Sequence, residues 1–204
     1  MFKLRPYQQH LVDENKRLWS EGVRNPCTVL STGGGKTVVA AELIRQEQQA
    51  GGYFAAIAHR QELVGQISLA LARQGVMHDI VAPRPVIRFC SNMHVEEVGQ
   101  SFYSQHAPGF VGGVNTVIRR DLKRIKDVVS LVFQDECHHV LRDNLWGKAA
   151  ALFPQANGLY VTATPLRADG KGLGRHADGL FDQFIFGPPM RQLIREGSLT
   201  DYKI

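Results

Sequence analysis

Two clusters in this 204-residue sequence have the residue types and spacing for phosphate chemistry. The first is the run STGGGKT, residues 31–37. Gly33, Gly34 and Gly35 can adopt positive φ, which lets successive backbone N–H groups converge on phosphate oxygens. Lys36 supplies a cation for β- and γ-phosphates, and Thr37 offers a hydroxyl to Mg²⁺. The general spacing G-x-x-x-x-G-K-[ST] is met by Gly35, Lys36 and Thr37, but its first glycine falls on Leu30. A glycine-rich turn at a helix start would explain the same residues without a ligand. The second cluster is Asp135-Glu136, just past the apolar run VVSLVF at 128–133. One carboxylate there can hold Mg²⁺ through water, and another can position an attacking water. Asp135 suits the first task and Glu136 the second. An Asp-Glu pair in a loop is usually a solvated turn. Here both clusters follow strand-like runs, and a parallel sheet brings such strand ends to one edge.

The elements that must position these clusters alternate along the chain, which is the pattern of a parallel α/β sheet. CTVL (27–30) reads as a buried strand, followed by a helix from Lys36 to Gln49 that Gly51 and Gly52 stop. YFAAIAH (53–59) is the next strand, and a helix from Arg60 to Gln74 turns Leu63, Ile67, Ala70 and Leu71 inward. PVIRFC (85–90) reads as a third strand, residues 91–110 as an irregular excursion, and FVGGV (110–114) as a return to the sheet edge. Asn115 or Thr116 then caps a helix with Ile118, Leu122 and Ile125 inward. VVSLVF, apolar but for Ser130, reads as a strand covered on both faces. GLYVTAT (158–164) is another strand, and the tail reads as one helix, a stop at Gly197 and an extended start. The expected fold is one α/β domain: a mostly parallel sheet with helices on both faces, in three layers.

Composition narrows the setting. The net charge of +5 favours anionic partners, nucleic acid among them. The N-terminus lacks the apolar core of a secretory signal, and no run of 18 apolar residues occurs. The three cysteines, Cys27, Cys90 and Cys137, are odd in number and widely spaced, which fits the cytoplasm better than a disulfide framework. Cys137, His138 and His139 raise the question of zinc, but the other cysteines and histidines lack zinc-site spacing.

STGGGKT, then DECH (135–138), then TATP (162–165) resemble motifs I, II and III of superfamily 2 helicases of the DEAD/DEAH-box, DExH type. Motif I of that family commonly lacks the first glycine. LRPYQ (4–8) resembles the adenine-sensing glutamine motif, AHRQELVGQ (58–66) motif Ia, and GGVNTVIRR (112–120) motif Ib. TATPLRADGKGLG is closest in character to the repair, recombination and phage-type branch. The resemblance implies one N-terminal RecA-like P-loop NTPase domain over residues 1–197, with 198–204 starting a linker to a second RecA-like domain. It implies ATP and Mg²⁺ as ligands. By resemblance Lys36, Asp135 and Glu136 are catalytic, and Gln8, Gly33, Gly34, Gly35, Lys36 and Thr37 bind nucleotide. Thr37 and Asp135 hold the metal, while His138, Thr162 and Thr164 couple the nucleotide site to motif III. Arg60, Thr116, Arg119 and Arg120 contact the nucleic-acid backbone, with DNA favoured over RNA. Arg119, Arg120, Lys123, Arg124 and Lys126 read as one basic helix surface, whose second half is a solvated face. The expected activity is ATP hydrolysis coupled to movement on nucleic acid, weak in this chain without its second domain. The alternatives are the motor portion of a restriction or phage-defence complex, and a non-hydrolysing, nucleotide-responsive DNA-binding module. A small-molecule P-loop kinase is disfavoured by the DECH–TATP pair.

Overall fold

Seven short apolar runs pair into a single sheet: β1 (Pro26–Val29), β2 (Tyr53–Ala58), β3 (Asp79–Val81), β4 (Gly109–Gly113), β5 (Val129–Gln134), β6 (Asn157–Thr162) and β7 (Gln183–Phe186). The computed structural model describes residues 3–58, 60–122, 124–141, 143–165, 173–175 and 179–200. The strand order is β3-β4-β2-β5-β6-β1-β7. Every pairing between these strands is parallel. Parallel neighbours need crossovers: α2 (Lys36–Gln49), α3 (Gln61–Arg73), α4 (Arg84–Val98), α5 (Val114–Arg119) and α6 (Leu145–Ala151) lie in the connections between successive strands, while α1 (Pro6–Ser20) precedes β1 and α7 (Met190–Arg195) follows β7.

Alternation along β2 shows the layers. Phe54, Ala56 and Ala58 join a core with Leu11 of α1, Ile44 of α2, Ile67 of α3 and Cys90 of α4. Ala55 and Ile57 join a second core with Val117 of α5 and Ala149 of α6. Successive strand residues face opposite sides, so the sheet is covered on both. The expected three-layer α/β domain is therefore present.

Several local expectations are corrected. Residues 85–90, expected as a strand, open the fifteen-residue helix α4, which continues through the first part of the supposed irregular excursion and is capped at Gly99. Pro85 sits in its first turn, where proline needs no N–H partner. Cys90 and His94, one turn apart, are its buried pair, so helical spacing outweighs the β-branched character of Val86 and Ile87. The true third strand, Asp79–Val81, has only three residues, too few for any period to register. The return at 110–114 is not at the sheet edge, because β3 pairs outside β4. The helix expected to be capped by Asn115 or Thr116 has its cap at Gly113 and ends at Arg119. Leu122 and Ile125 still reach the second core, but from turns. Arg119, Arg120, Arg124 and Lys126 thus do not share one helix, and Lys123 lies outside the described residues.

A buried polar chain braces α3 against α4. His78 donates from Nδ1 to the Val76 carbonyl at 2.9 Å, which leaves its Nε2 to accept from the Ser68 hydroxyl at 2.7 Å. His94 accepts the Phe102 N–H on Nδ1 at 3.3 Å and donates from Nε2 to Ser68 Oγ at 2.9 Å. Each bond fixes the next tautomer, and both rings must be neutral. Burial holds the His78 pKa down to about 4 and lowers that of His94 as well. The unfolded chain, with histidines near 6.5, binds the extra proton first as pH falls. Stability is therefore full above roughly pH 6.5 and lost toward about pH 4, with His78 alone contributing up to about 3 kcal/mol. Urea unfolding across that window tests this: stability unchanged between roughly pH 7 and 5 would rule out the neutral pair.

Candidate functional site

The chemistry-bearing residues gather at the carboxyl edge of the sheet. Val29 of β1 is level with Thr162 of β6, and Gln134 of β5 is level with Tyr160 of β6. The glycine loop, the TAT segment and the Asp-Glu pair therefore leave three adjacent strands side by side.

The loop is shaped by its glycines and by α1. Gly35 caps α2 with φ 89° and ψ 36°, a left-handed conformation that strains other residues. A Cβ there would also collide with Gln8 Nε2. At Gly33, with φ 80°, a Cβ would stand 2.7 Å from Leu199 Cδ2, so the tail closes over the loop. The Gly34 carbonyl receives two donors, Tyr7 OH at 2.8 Å and Gln8 Nε2 at 3.1 Å. Gln8 Oε1 accepts the Arg5 N–H at 2.9 Å. With the Gly34 carbonyl pinned outward, the Gly35 N–H of the same trans peptide points the other way, while the Gly34 N–H is donated to the Ser31 carbonyl at 2.9 Å. Val38 and Val39 donate to the Gly35 carbonyl, while the N–H groups of Lys36 and Thr37 begin the helix and have no acceptor within it. Together with the α2 dipole they form an anion cradle. Leu30 stands where the general pattern has glycine because its side chain is core, 1% exposed, while its carbonyl faces Lys36 Nζ at 3.4 Å. That long bond holds the ammonium at the loop without neutralising it.

The acidic half suits a divalent cation. Burial raises the Asp135 pKa above the ordinary carboxylate value, opposed by the Glu136 N–H, which donates to Asp135 Oδ1 at 2.8 Å. The Glu136 charge raises it further, and Lys36 pulls the other way. A carboxylate so desolvated gains most from a metal ion, whose charge reverses the local balance. Glu136 has φ 51° and ψ 45°, the only non-glycine residue with positive φ among those described. Such a conformation costs of order 1–3 kcal/mol and persists only where its surroundings enforce it.

From Glu136 a line of polar contacts runs to β6. Glu136 Oε2 lies 3.2 Å from His138 Nδ1, and the same nitrogen lies 3.1 Å from Thr162 Oγ1. Thr162 Oγ1 donates to the Thr164 carbonyl at 3.1 Å and accepts the Thr164 N–H at 3.2 Å. The hydroxyl proton is thereby spent, so Thr162 can only accept from His138, and the Nδ1 of His138 carries a proton. The structure brings His138, Thr162 and Thr164, grouped in the sequence reading, into hydrogen-bonding distance of one another, with Glu136 beside His138.

The other half of the edge carries the basic residues. Arg60 caps α3 after β2, exposed and with no side-chain bond to the cap. Thr116 and Arg119 lie on α5 after β4, and Arg120 follows in extended conformation. Ala58 and Gly113 are level across β2 and β4, which brings these residues to neighbouring strand ends. The reading from sequence missed Tyr7, Arg5 and Leu199 at the loop. The LRPYQ segment signalled the first two, whereas nothing local marks Leu199. Arg167, after TATP, lies outside the described residues.

A profile of the family described as "Type III restriction enzyme, res subunit" matches residues 1–167. IRC3 of Saccharomyces cerevisiae, named as a candidate ATP-dependent helicase, is 26% identical over 212 residues, covering 98% of this chain and 28% of the relative. The UvsW helicase of bacteriophage T4 superposes with a TM-score of 0.62 at 18% identity, over 91% of this chain and 60% of that one. A nuclease-deletion mutant of the Type ISP restriction-modification enzyme LlaGI, solved with a DNA substrate mimic, gives 0.65 at 14% identity. That match covers 97% of this chain and 21% of the enzyme. The chain thus spans just over a quarter of its curated relative's length.

Proposed function

This chain belongs to the family of Type III restriction enzyme res subunits, a superfamily 2 helicase-type motor domain, and on that premise we propose that it binds and hydrolyses ATP to drive movement along nucleic acid. The observation that carries the reading is the line Glu136–His138–Thr162–Thr164 beside the glycine loop. A nucleotide-binding fold needs a phosphate cradle; it has no need to wire the carboxylate next to that cradle into a neighbouring strand end. A motor does, because hydrolysis must be felt elsewhere.

In this proposal the loop N–H groups and Lys36 hold the β- and γ-phosphates. Thr37 and Asp135 hold Mg²⁺, which would neutralise charge on the phosphate oxygens. Glu136 orients the attacking water and takes its proton. His138 donates to Thr162 with the Glu136 carboxylate 3.2 Å from the same nitrogen, so a change in charge at Glu136 alters the field on that proton and on the strand it reaches. Gln8 spends one donor and one lone pair on the protein, leaving one of each for an adenine edge. A cavity of about 630 Å³ lined in part by Arg5, Tyr7 and Gln192 lies on that side and has room for the base.

Arg60, Thr116, Arg119 and Arg120 would contact phosphates of a nucleic-acid strand, DNA in preference to RNA. Residues 198–204 would lead into a second RecA-like domain, completing a helicase or translocase. A restriction complex would use the same motor in another assembly. All three cysteines are free, which supports a reducing compartment such as the cytoplasm. No described helix is long and apolar enough to cross a membrane.

Lys36→Ala tests the cradle. It removes the side-chain cation of the loop, and charge-assisted bonds contribute about 1.5–3 kcal/mol. ATP–Mg²⁺ affinity measured by calorimetry should fall at least about tenfold. Equal affinity in variant and parent would sink the phosphate-loop assignment.

A further inference from the structure

We propose that the exposed face of α4 is a nucleic-acid contact of its own: Phe89 is a stacking platform for an unpaired base, with Arg84 and Arg88 taking the adjoining phosphates. The inference rests on the motor reading and extends its track across the sheet. The strand ends run β2, β4, β3 toward the edge, and the first two carry Arg60 and then Thr116 with Arg119. Val81 of β3 is level with Gly112 of β4, and α4 starts three residues after Val81. Its first turn thus starts from the same carboxyl edge as α5, although the two helices cover opposite faces of the sheet.

Arg84 and Arg88 are one turn apart, as are Pro85 and Phe89, with Asn92 a turn further on; all five are exposed. They line a shallow groove of about 420 Å³. Phe89 is 61% exposed, so the core does not explain it. Its orientation is nevertheless defined. A Cβ at Gly65 of α3 would lie 3.3 Å from Phe89 Cε1 and 3.5 Å from Met93 Cε, so the ring is backed by bare α3 backbone. One side of the ring is supported and the rest is open.

The arginines are available. Neither forms an ion pair with a described residue, and the α4 carboxylate that does, Glu97 with Arg73 at 2.6 Å, is at the far end of the helix. Guanidinium forks match phosphate oxygens, and any base can stack on an aromatic face whatever its sequence. A cationic pair around an open ring therefore fits single-stranded nucleic acid. An acidic protein partner would use the arginines but would not distinguish an oligonucleotide with bases from one without.

The test is fluorescence anisotropy of the 204-residue chain with a labelled oligothymidylate and an abasic strand of equal length. The parent should prefer the strand with bases. Phe89→Ala should weaken that strand's binding about tenfold and leave the abasic strand unchanged, while Phe89→Trp should retain the preference. Arg84→Ala and Arg88→Ala should each flatten the salt dependence by about one ion. Unchanged ATP affinity in each variant certifies its fold. Parental binding by Phe89→Ala, or equal loss on both strands, overturns the proposal. If Arg119→Ala still weakens binding in that case, the motor reading survives alone. A parent that binds neither strand overturns both.

Discussion

Glu136→Gln should leave ATP–Mg²⁺ affinity near that of the parent and lower turnover in the assembled enzyme by ~10²–10⁴-fold. The variant is isosteric, and its amide oxygen can still accept from His138 Nδ1, 3.2 Å from the present carboxylate. Asp135, Lys36 and the loop are untouched, so the cradle persists. What disappears is a group able to take a proton from water. The left-handed backbone of Glu136 sharpens the expectation, because a strained conformation aims this side chain and glutamine inherits the same strain. Nucleotide binding by calorimetry and steady-state hydrolysis with nucleic acid present separate the two functions. Undiminished turnover would assign the attacking water to another residue.

Hydrolysis by residues 1–204 alone should be slow even with DNA, and a second RecA-like domain, covalent or in trans, should raise it by ~10³–10⁵-fold. Phosphoryl transfer needs the developing charge neutralised from several sides. Among the described residues, the loop offers Lys36 and the N–H groups at the start of α2, all from one side. Arg5 is turned away, donating to the Ser198 carbonyl at 2.8 Å. IRC3 is long enough to carry further domains, since this chain covers 28% of it. Brisk DNA-stimulated hydrolysis by a verified monomer of this chain would refute the half-motor reading.

The placement of the glycine loop and the acidic pair at one sheet edge was legible because their signals are local: glycines, a lysine and two carboxylates, each just after an apolar run. The helix at Lys36–Gln49 matched its expected bounds for the same reason. Misreadings came where local and tertiary signals compete. Val86 and Ile87 carry β-branched character, yet Cys90 and His94 dock against α3 only if the segment is helical. Strands β3 and β7, with three and four residues, owe their existence to neighbours in the sheet. The bond from Tyr7 to Gly34 spans 27 positions, and Leu199 reaches Gly33 from the opposite end of the chain. The link from His138 to Thr162 was anticipated only through resemblance, since a separation of 24 residues has no period.

The strand order also governs when the fold can assemble. β1, which leads into the glycine loop, pairs only with β6 and β7 among the described strands, and these begin at Asn157 and Gln183. A ribosome adding about 5–20 residues per second needs on the order of ten seconds to pass from the end of β1 to the start of β6. During that interval the segment before Gly51 has no strand to pair with, and its apolar residues are exposed to other chains. β2, β4 and β5, by contrast, are contiguous in the sheet and come off the ribosome earlier. Nascent chains should therefore hold a structured middle and an unsettled beginning, with the β1 side of the sheet closing last. A truncation just before Asn157 forfeits the nucleotide loop although it deletes none of the loop's residues.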